Sequence, residues 1–244
     1  MYLCFVKDCI TIKNKTMKHF KMTSESMINA FGIKLFRIEL TIDCKWGKKG
    51  DKGGWIESEE VYGNARVSGN AWVYGNAQVY GNARVSGNAQ VYGDAWVYGN
   101  ARVSGDAQVS GDAQVYGDAW VSGNAQVYGN AWVYGNAQVY GNAWVYGNAR
   151  VYGNAQVYGN ARVSGDAQVY GDAWDKSPMQ IQGTKHFVNF CTKTLLKIGC
   201  IELDMKTWLN VFKTKGKEHG YTPEQIKEYR LYIDLAIKIQ KLYK

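Results

Sequence analysis

A valine stands at every sixth position from Val61 to Val169, nineteen times, with no insertion and no skip. Each unit reads Val–(Tyr/Ser)–Gly–(Asn/Asp)–Ala–x, so residues 61–174 must fold as something that repeats on a six-residue step. Each slot has a physical reason. Val is β-branched and suits a buried strand position. Alternation along a strand sends Val inward and its two neighbours outward. Gly followed by Asn or Asp supplies the backbone angles of a tight corner, and Ala fits where the turning chain leaves little room. A unit this small cannot bury its apolar face alone and does so by stacking on its neighbours, which makes a solenoid.

Three regions follow from the limits of the repeat. Residues 1–60 form a head, in which Gly32–Asp43 reads as a strand and the glycine-rich "GKKGDKGGWIESEE" follows it. Residues 61–174 are the repeat. Residues 175–244 form a tail that begins at the break "DKSP". In the tail "MQIQG" and "HFVNFC" read as short strands. Thr222-Pro223-Glu224-Gln225 reads as a helix start, and Ile226, Tyr229, Ile233 and Ile237 carry the helical period on toward the C-terminus. The repeat carries five Arg against six Asp, while residues 176–244 carry thirteen Lys/Arg against six Asp/Glu. The tail's net charge of +7 is that of a solvated face, and nucleic acid is not an expected partner. Cys4, Cys9, Cys44, Cys191 and Cys200 are odd in number and lack metal-ligand spacing, which reads as a reduced, cytoplasmic chain. No apolar run is long enough for a membrane span.

The unit Val-Tyr-Gly-Asn-Ala-Arg resembles the hexapeptide signature of left-handed parallel β-helices, with a branched aliphatic residue followed four positions later by a small one. The resemblance covers the whole repeat. It implies a mainly β fold: a left-handed parallel β-helix of about six coils, three hexads to a coil, with an N-terminal β-rich cap and a small C-terminal α/β domain. At roughly 4.8 Å per coil the rod would be about 30 Å long. The segments "GGWIE" (Gly53–Glu57) and "IGC" (Ile198–Cys200) around such clean repeats resemble phage-encoded hexapeptide-repeat proteins, which implies a phage origin and the cytoplasm of an infected bacterium. The family also implies a parallel homotrimer.

Residues eighteen apart then share a face, and the three faces differ. The first begins Arg66/Ser68, Arg84/Ser86, Arg102/Ser104 and continues with Trp120/Ser122. The second carries Tyr at every coil, from Tyr62 to Tyr170, beside Trp96 and Trp132. The third mixes Trp72/Tyr74, Gln90/Tyr92, Gln108/Ser110, Gln126/Tyr128, Trp144/Tyr146 and Arg162/Ser164. Three guanidinium groups about 4.8 Å apart repel one another by about 1 kcal/mol per neighbouring pair in water. Small Ser neighbours beside them would leave a cationic trench closed at one end by Trp120, and guanidinium is suited to phosphate and carboxylate. A continuous Tyr face left to water would mark an interface, which a trimer would cover.

The acyltransferases of this family use a His base and its hydratases a three-His metal site. The repeat has no His, since His19, His186 and His219 lie outside it, and no loop interrupts it. An enzyme is therefore not expected, and no cofactor or metal is implied. Asp94, Asp106, Asp112, Asp118, Asp166 and Asp172 share their slot with Asn and read as structural corners. Two functional classes remain. One is a binder that sequesters a small anionic ligand, such as a cyclic or linear nucleotide signal, using Arg66, Arg84 and Arg102 for phosphate, Ser68, Ser86 and Ser104 for hydrogen bonds and Trp120 for stacking. Trp72 and Trp96 would join it only from a neighbouring subunit. The other is a structural module, a rigid spacer whose faces serve assembly alone. Segregation of Arg and Ser from Tyr favours the binder.

Overall fold

The computed structural model describes residues 19–43, 47–58, 61 and 64–243. Tyr62 and the cysteines at 4, 9 and 44 lie outside these. The repeat is a parallel β-solenoid of about six turns whose strands are mostly the two residues x-Val, such as Arg84–Val85. Each strand pairs in parallel with the one eighteen residues on, Arg84 beside Arg102 and Val85 beside Val103. Three sheets result. The first holds seven strands from Arg66–Val67 to Ala173–Trp174, and the second holds six from Gln78–Val79 to Gln168–Tyr170. The third ends at Arg162–Val163 and is extended at its other end by the head.

The inside is Val on Val and Ala on Ala, with every repeat Val from Val79 to Val169 and every repeat Ala from Ala83 to Ala167 sealed from solvent. Backbone groups are satisfied between coils: the N–H of Arg84 donates to Ala101 O, that of Ser86 to Val103 O and that of Asn88 to Gly105 O, each at 2.9 Å. The corners need glycine twice over. Gly105 has φ +71°, and a Cβ there would stand 3.0 Å from the backbone N and O of Gly123 in the next coil.

The ends differ. Strands β1 (Phe20–Ile28) and β2 (Lys34–Leu40) form an antiparallel hairpin, and β3 (Lys52–Ile56) runs antiparallel to β2 but parallel to Trp72–Val73. The head thus adds a rung to the third sheet, with Trp55 over Trp72 and Ile56 over Val73. Of these strands only β2 was foreseeable. β1 has no clean alternation, and the glycines of β3 disguise it as loop. Those glycines serve close approach, because a Cβ on Gly54 would come 2.6 Å from Val67 Cγ1. At the other end Ala173–Trp174 pairs with Gln156–Val157, seventeen residues away instead of eighteen. That lost residue turns Trp174 inward, where it takes a valine's place, 1% exposed, edge-on to Tyr243 at 5.3 Å.

The tail is a four-stranded antiparallel sheet, Gln180–Gln182, Phe187–Phe190, Leu195–Ile198 and Ile201–Asp204 in that order, with two helices. Helix α2 (Pro223–Gln240) starts at the expected capping box: Thr222 Oγ1 accepts from Gln225 N at 3.2 Å and Gln225 Oε1 from Thr222 N at 3.0 Å. Helix α1 (Met205–Glu218) is capped by Asp204, which accepts from Thr207 N at 2.9 Å. Its four lysines mask the apolar face in the sequence. Among the described residues no helix is long and apolar enough to cross a membrane.

Candidate functional site

The first sheet sets Arg66, Arg84, Arg102 and Trp120 one above another in strict register. Their Cα atoms are fixed by the ladder, so the positive charges are held in a column by packing that they do not themselves provide. Arg84 and Arg102 are exposed and Arg66 is half-buried. Neither Arg84 nor Arg102 is ion-paired with a carboxylate among the described residues.

A trench runs beside this column, and its second wall is asparagine where serine was expected. An open trench of about 350 Å³ is lined by Arg66, Arg84 and Arg102 together with Asn64, Asn82, Asn100 and Asp118. The corner residue two positions before each Arg faces it. Those corner side chains form their own ladder: Asn64 Nδ2 donates to Asn82 Oδ1 at 3.2 Å, Asn82 to Asn100 at 3.2 Å and Asn100 to Asp118 at 2.9 Å. The last bond is the shortest because its acceptor is charged. Each Asn spends one N–H on the ladder and has a second N–H outside it. Arg84 and Arg102 against the single carboxylate of Asp118 leave the trench cationic, with its negative end at Asp118.

Ser68, Ser86 and Ser104 stand two residues on from the Arg column, away from the Asn wall. They do not line the trench, and Ser68 borders a smaller hollow of about 120 Å³ against the head, with Glu39, Asp51 and Lys52. Trp120 does sit at the end of the Arg column, 43% exposed, but the Arg102 guanidinium covers one face of its ring at 5.1 Å. On its other side the ladder sets Gln138 of the next coil beside Trp120. Trp72 lies on the third sheet against Trp55, and Trp96 lies on the second, 40% exposed and edge-on to Tyr80 at 6.4 Å. One chain does not bring them to the trench. The Asn wall was missed because the corner slot looked purely structural, although its position two residues before each Arg was legible.

The tyrosines of the second face stack at 4.8–5.2 Å from Tyr80 through Tyr98, Tyr116 and Tyr134 to Tyr152, and Tyr170 follows at 5.0 Å with its ring tilted by 32°. Their rings cover one another and are half-buried within a single chain. Burial pushes the phenols of Tyr98, Tyr116 and Tyr152 up to about 12.

Stacked parallel coils with side-chain ladders on every face define the class: this is a β-solenoid repeat protein. More particularly, its repeats match the YdcK Beta solenoid repeat family in ten stretches, the first at residues 61–75 and the last at 155–171. No curated protein matches the chain.

Proposed function

We propose that this solenoid is a non-catalytic binding protein whose Arg66–Arg84–Arg102 trench holds a small anionic ligand, with phosphate groups as the chemistry it fits. The observation that supports the reading is the trench itself. Three cationic side chains are stacked against a wall of amide N–H donors, and Arg84 and Arg102 lack a carboxylate partner among the described residues. A ligand replaces the mutual repulsion of the arginines with charge-assisted hydrogen bonds. A nucleotide is the ligand class we favour, held by its phosphates. Its base would need an aromatic face beyond the one that Arg102 covers on Trp120. Parallel copies about a three-fold axis are what the hexapeptide resemblance implies, and Trp72 or Trp96 would join the site only where a neighbouring copy brings it to the trench. In the phage setting of that resemblance the protein would sequester a nucleotide signal.

Native mass spectrometry of the protein from a nucleotide-rich lysate, followed by calorimetric titration with mono-, di- and cyclic nucleotides, tests this. Arg84→Glu should weaken binding by about 100-fold or more, as expected for losing one charge-assisted bond of 1.5–3 kcal/mol and gaining a repulsion. It should leave the fold intact, because Arg84 is outside the core. Unchanged binding in Arg84→Glu would sink the trench. A rod that stays empty against the whole panel would favour the second reading, a rigid spacer, which the self-covering Tyr ladder supports.

A further inference from the structure

The third face carries Tyr74, Tyr92, Ser110, Tyr128, Tyr146 and Ser164 at successive coils. Tyr74 stacks on Tyr92 at 5.1 Å with ring planes 3° apart, and Tyr128 on Tyr146 at 5.1 Å and 5°. Ser110 interrupts what would otherwise be one column of rings. The backbone is not interrupted: Gln108 pairs with Gln126, and Ser110 N–H donates to Val127 O at 2.9 Å. The break is therefore a missing side chain in an unbroken ladder. Tyr92 and Tyr128 are two coils apart, roughly 10 Å. A flat ring midway would lie about 5 Å from each, the distance at which the ladder's own rings stack.

A polar partner is left over at the same place. Along the rod a Tyr hydroxyl donates to the Gln sixteen residues on: Tyr74 to Gln90 at 3.4 Å, Tyr92 to Gln108 at 3.5 Å, Tyr98 to Gln114 at 3.4 Å and Tyr140 to Gln156 at 3.3 Å. Sixteen residues on from Ser110 is Gln126, half-buried, whose side chain makes no hydrogen bond among the described residues. The gap thus offers two ring faces and one acceptor, in the places where a tyrosine ring and its hydroxyl would use them. The neighbouring corner is also unusual. Asp94 and Asp112 are the one pair of repeat carboxylates set a single coil apart. Asp94 accepts from Asn76 Nδ2 at 2.9 Å, while Asn130 donates onward to Asn148, away from Asp112. Asp94 and Asp112 follow Tyr92 and Ser110 by two residues, and this negative pair disfavours an anionic occupant and favours a cationic one.

We propose that the Tyr92–Ser110–Tyr128 gap is a binding slot for a single flat aromatic ring carrying an O–H or N–H donor on its rim, a phenol or aromatic amine that is neutral or positively charged. The slot is separate from the cationic trench and does not rest on it, since the two select opposite charges and lie on different faces.

Tyramine, p-cresol and 4-hydroxyphenylacetate share one ring and differ only in charge, so saturation-transfer NMR and calorimetry with these three on the full chain probe the slot. Tyramine should bind most tightly, p-cresol more weakly and the carboxylate weakest, with one site per chain. Ser110→Tyr completes the column with the residue the repeat uses elsewhere and should lower tyramine affinity at least tenfold. Gln126→Leu should lower it several-fold with the fold unchanged, and Arg84→Glu should not move it. Absence of saturable tyramine and p-cresol binding overturns the proposal, as does equal affinity in Ser110→Tyr. So does dissociation of a native oligomer by Ser110→Tyr, which would mean that a neighbouring copy fills the gap.

Discussion

In the solenoid a residue meets its own counterpart; in the C-terminal domain it meets a stranger. Val103 lies between Val85 and Val121, and Asn82 between Asn64 and Asn100, so each rung repeats the interactions of the last. Nothing in the tail repeats. Trp208 Nε1 donates to Leu196 O at 2.8 Å, and Tyr229 Oη accepts from Lys185 N at 3.0 Å while donating to His186 O at 2.8 Å. In the rod stability is spread over many equal steps, as a nearest-neighbour array. In the tail it is concentrated in a few singular contacts. Trp174 is where the two regimes meet.

That comparison can be broken or sharpened. The largest effect should come at the junction. Trp174→Ala empties the end of the rod's core and removes the contact with Tyr243, and should cost about 3–5 kcal/mol in urea denaturation. Trp174→Phe should recover most of this, because the indole N–H has no acceptor among the described residues and the benefit is packing. A loss below about 1 kcal/mol for the alanine would mean that the last coil is held by something else.

Next come the corners. Gly105→Ala forces a side chain into the left-handed region and toward Gly123, at a cost of about 1–2 kcal/mol for the backbone alone. Gly87→Ala, with φ +73° and a Cβ likewise 3.0 Å from the next coil, should cost the same within a few tenths. Unequal losses would show that the coils are not the interchangeable units their contacts indicate.

A further effect is set by pH. The phenols of Tyr98, Tyr116 and Tyr152 lie at about 12 in the folded rod, against an ordinary value near 10, because burial disfavours the phenolate. The unfolded chain therefore loses these protons first. The stabilisation is complete below about pH 10 and is lost as pH rises from there through 12. Phenolate absorbance should lag that of free tyrosine and rise together with loss of the β signal. Replacing Tyr98, Tyr116 and Tyr152 with Phe should carry the folded rod further into alkali. Coincident titration with free tyrosine would show that the ladder is open to water.

Legibility followed the same division. The solenoid, its inward Val and Ala, its glycine corners and the stacking of Arg on Arg were all present in the six-residue period. So was the capping box of α2, since Thr222 and Gln225 act locally. β3 was hidden by Gly53 and Gly54, whose purpose is approach to Val67, a residue of another element. Helix α1 was hidden among lysines, although Asp204 and the spacing of Trp208, Leu209 and Phe212 were there to be read. Half of the trench was legible as an Arg column. The Asn wall was attributed to corners alone, and Ser68, Ser86 and Ser104 were placed on the wrong side of it.

By itself the sequence determined everything that depends on counting: a period of six, eighteen residues between stacked partners, and which residue types share a face. A repeat leaves local propensity and long-range contact no room to disagree, because every long-range partner is a copy of the local unit. The tertiary structure decided what depends on direction and on endings. It set which side of the Arg column becomes a trench, and it closed one face of Trp120 with Arg102. It turned Trp174 inward when the last coil lost one residue. The physical reason is that such outcomes rest on side-chain orientation and on contacts made only once, and a six-residue pattern encodes neither.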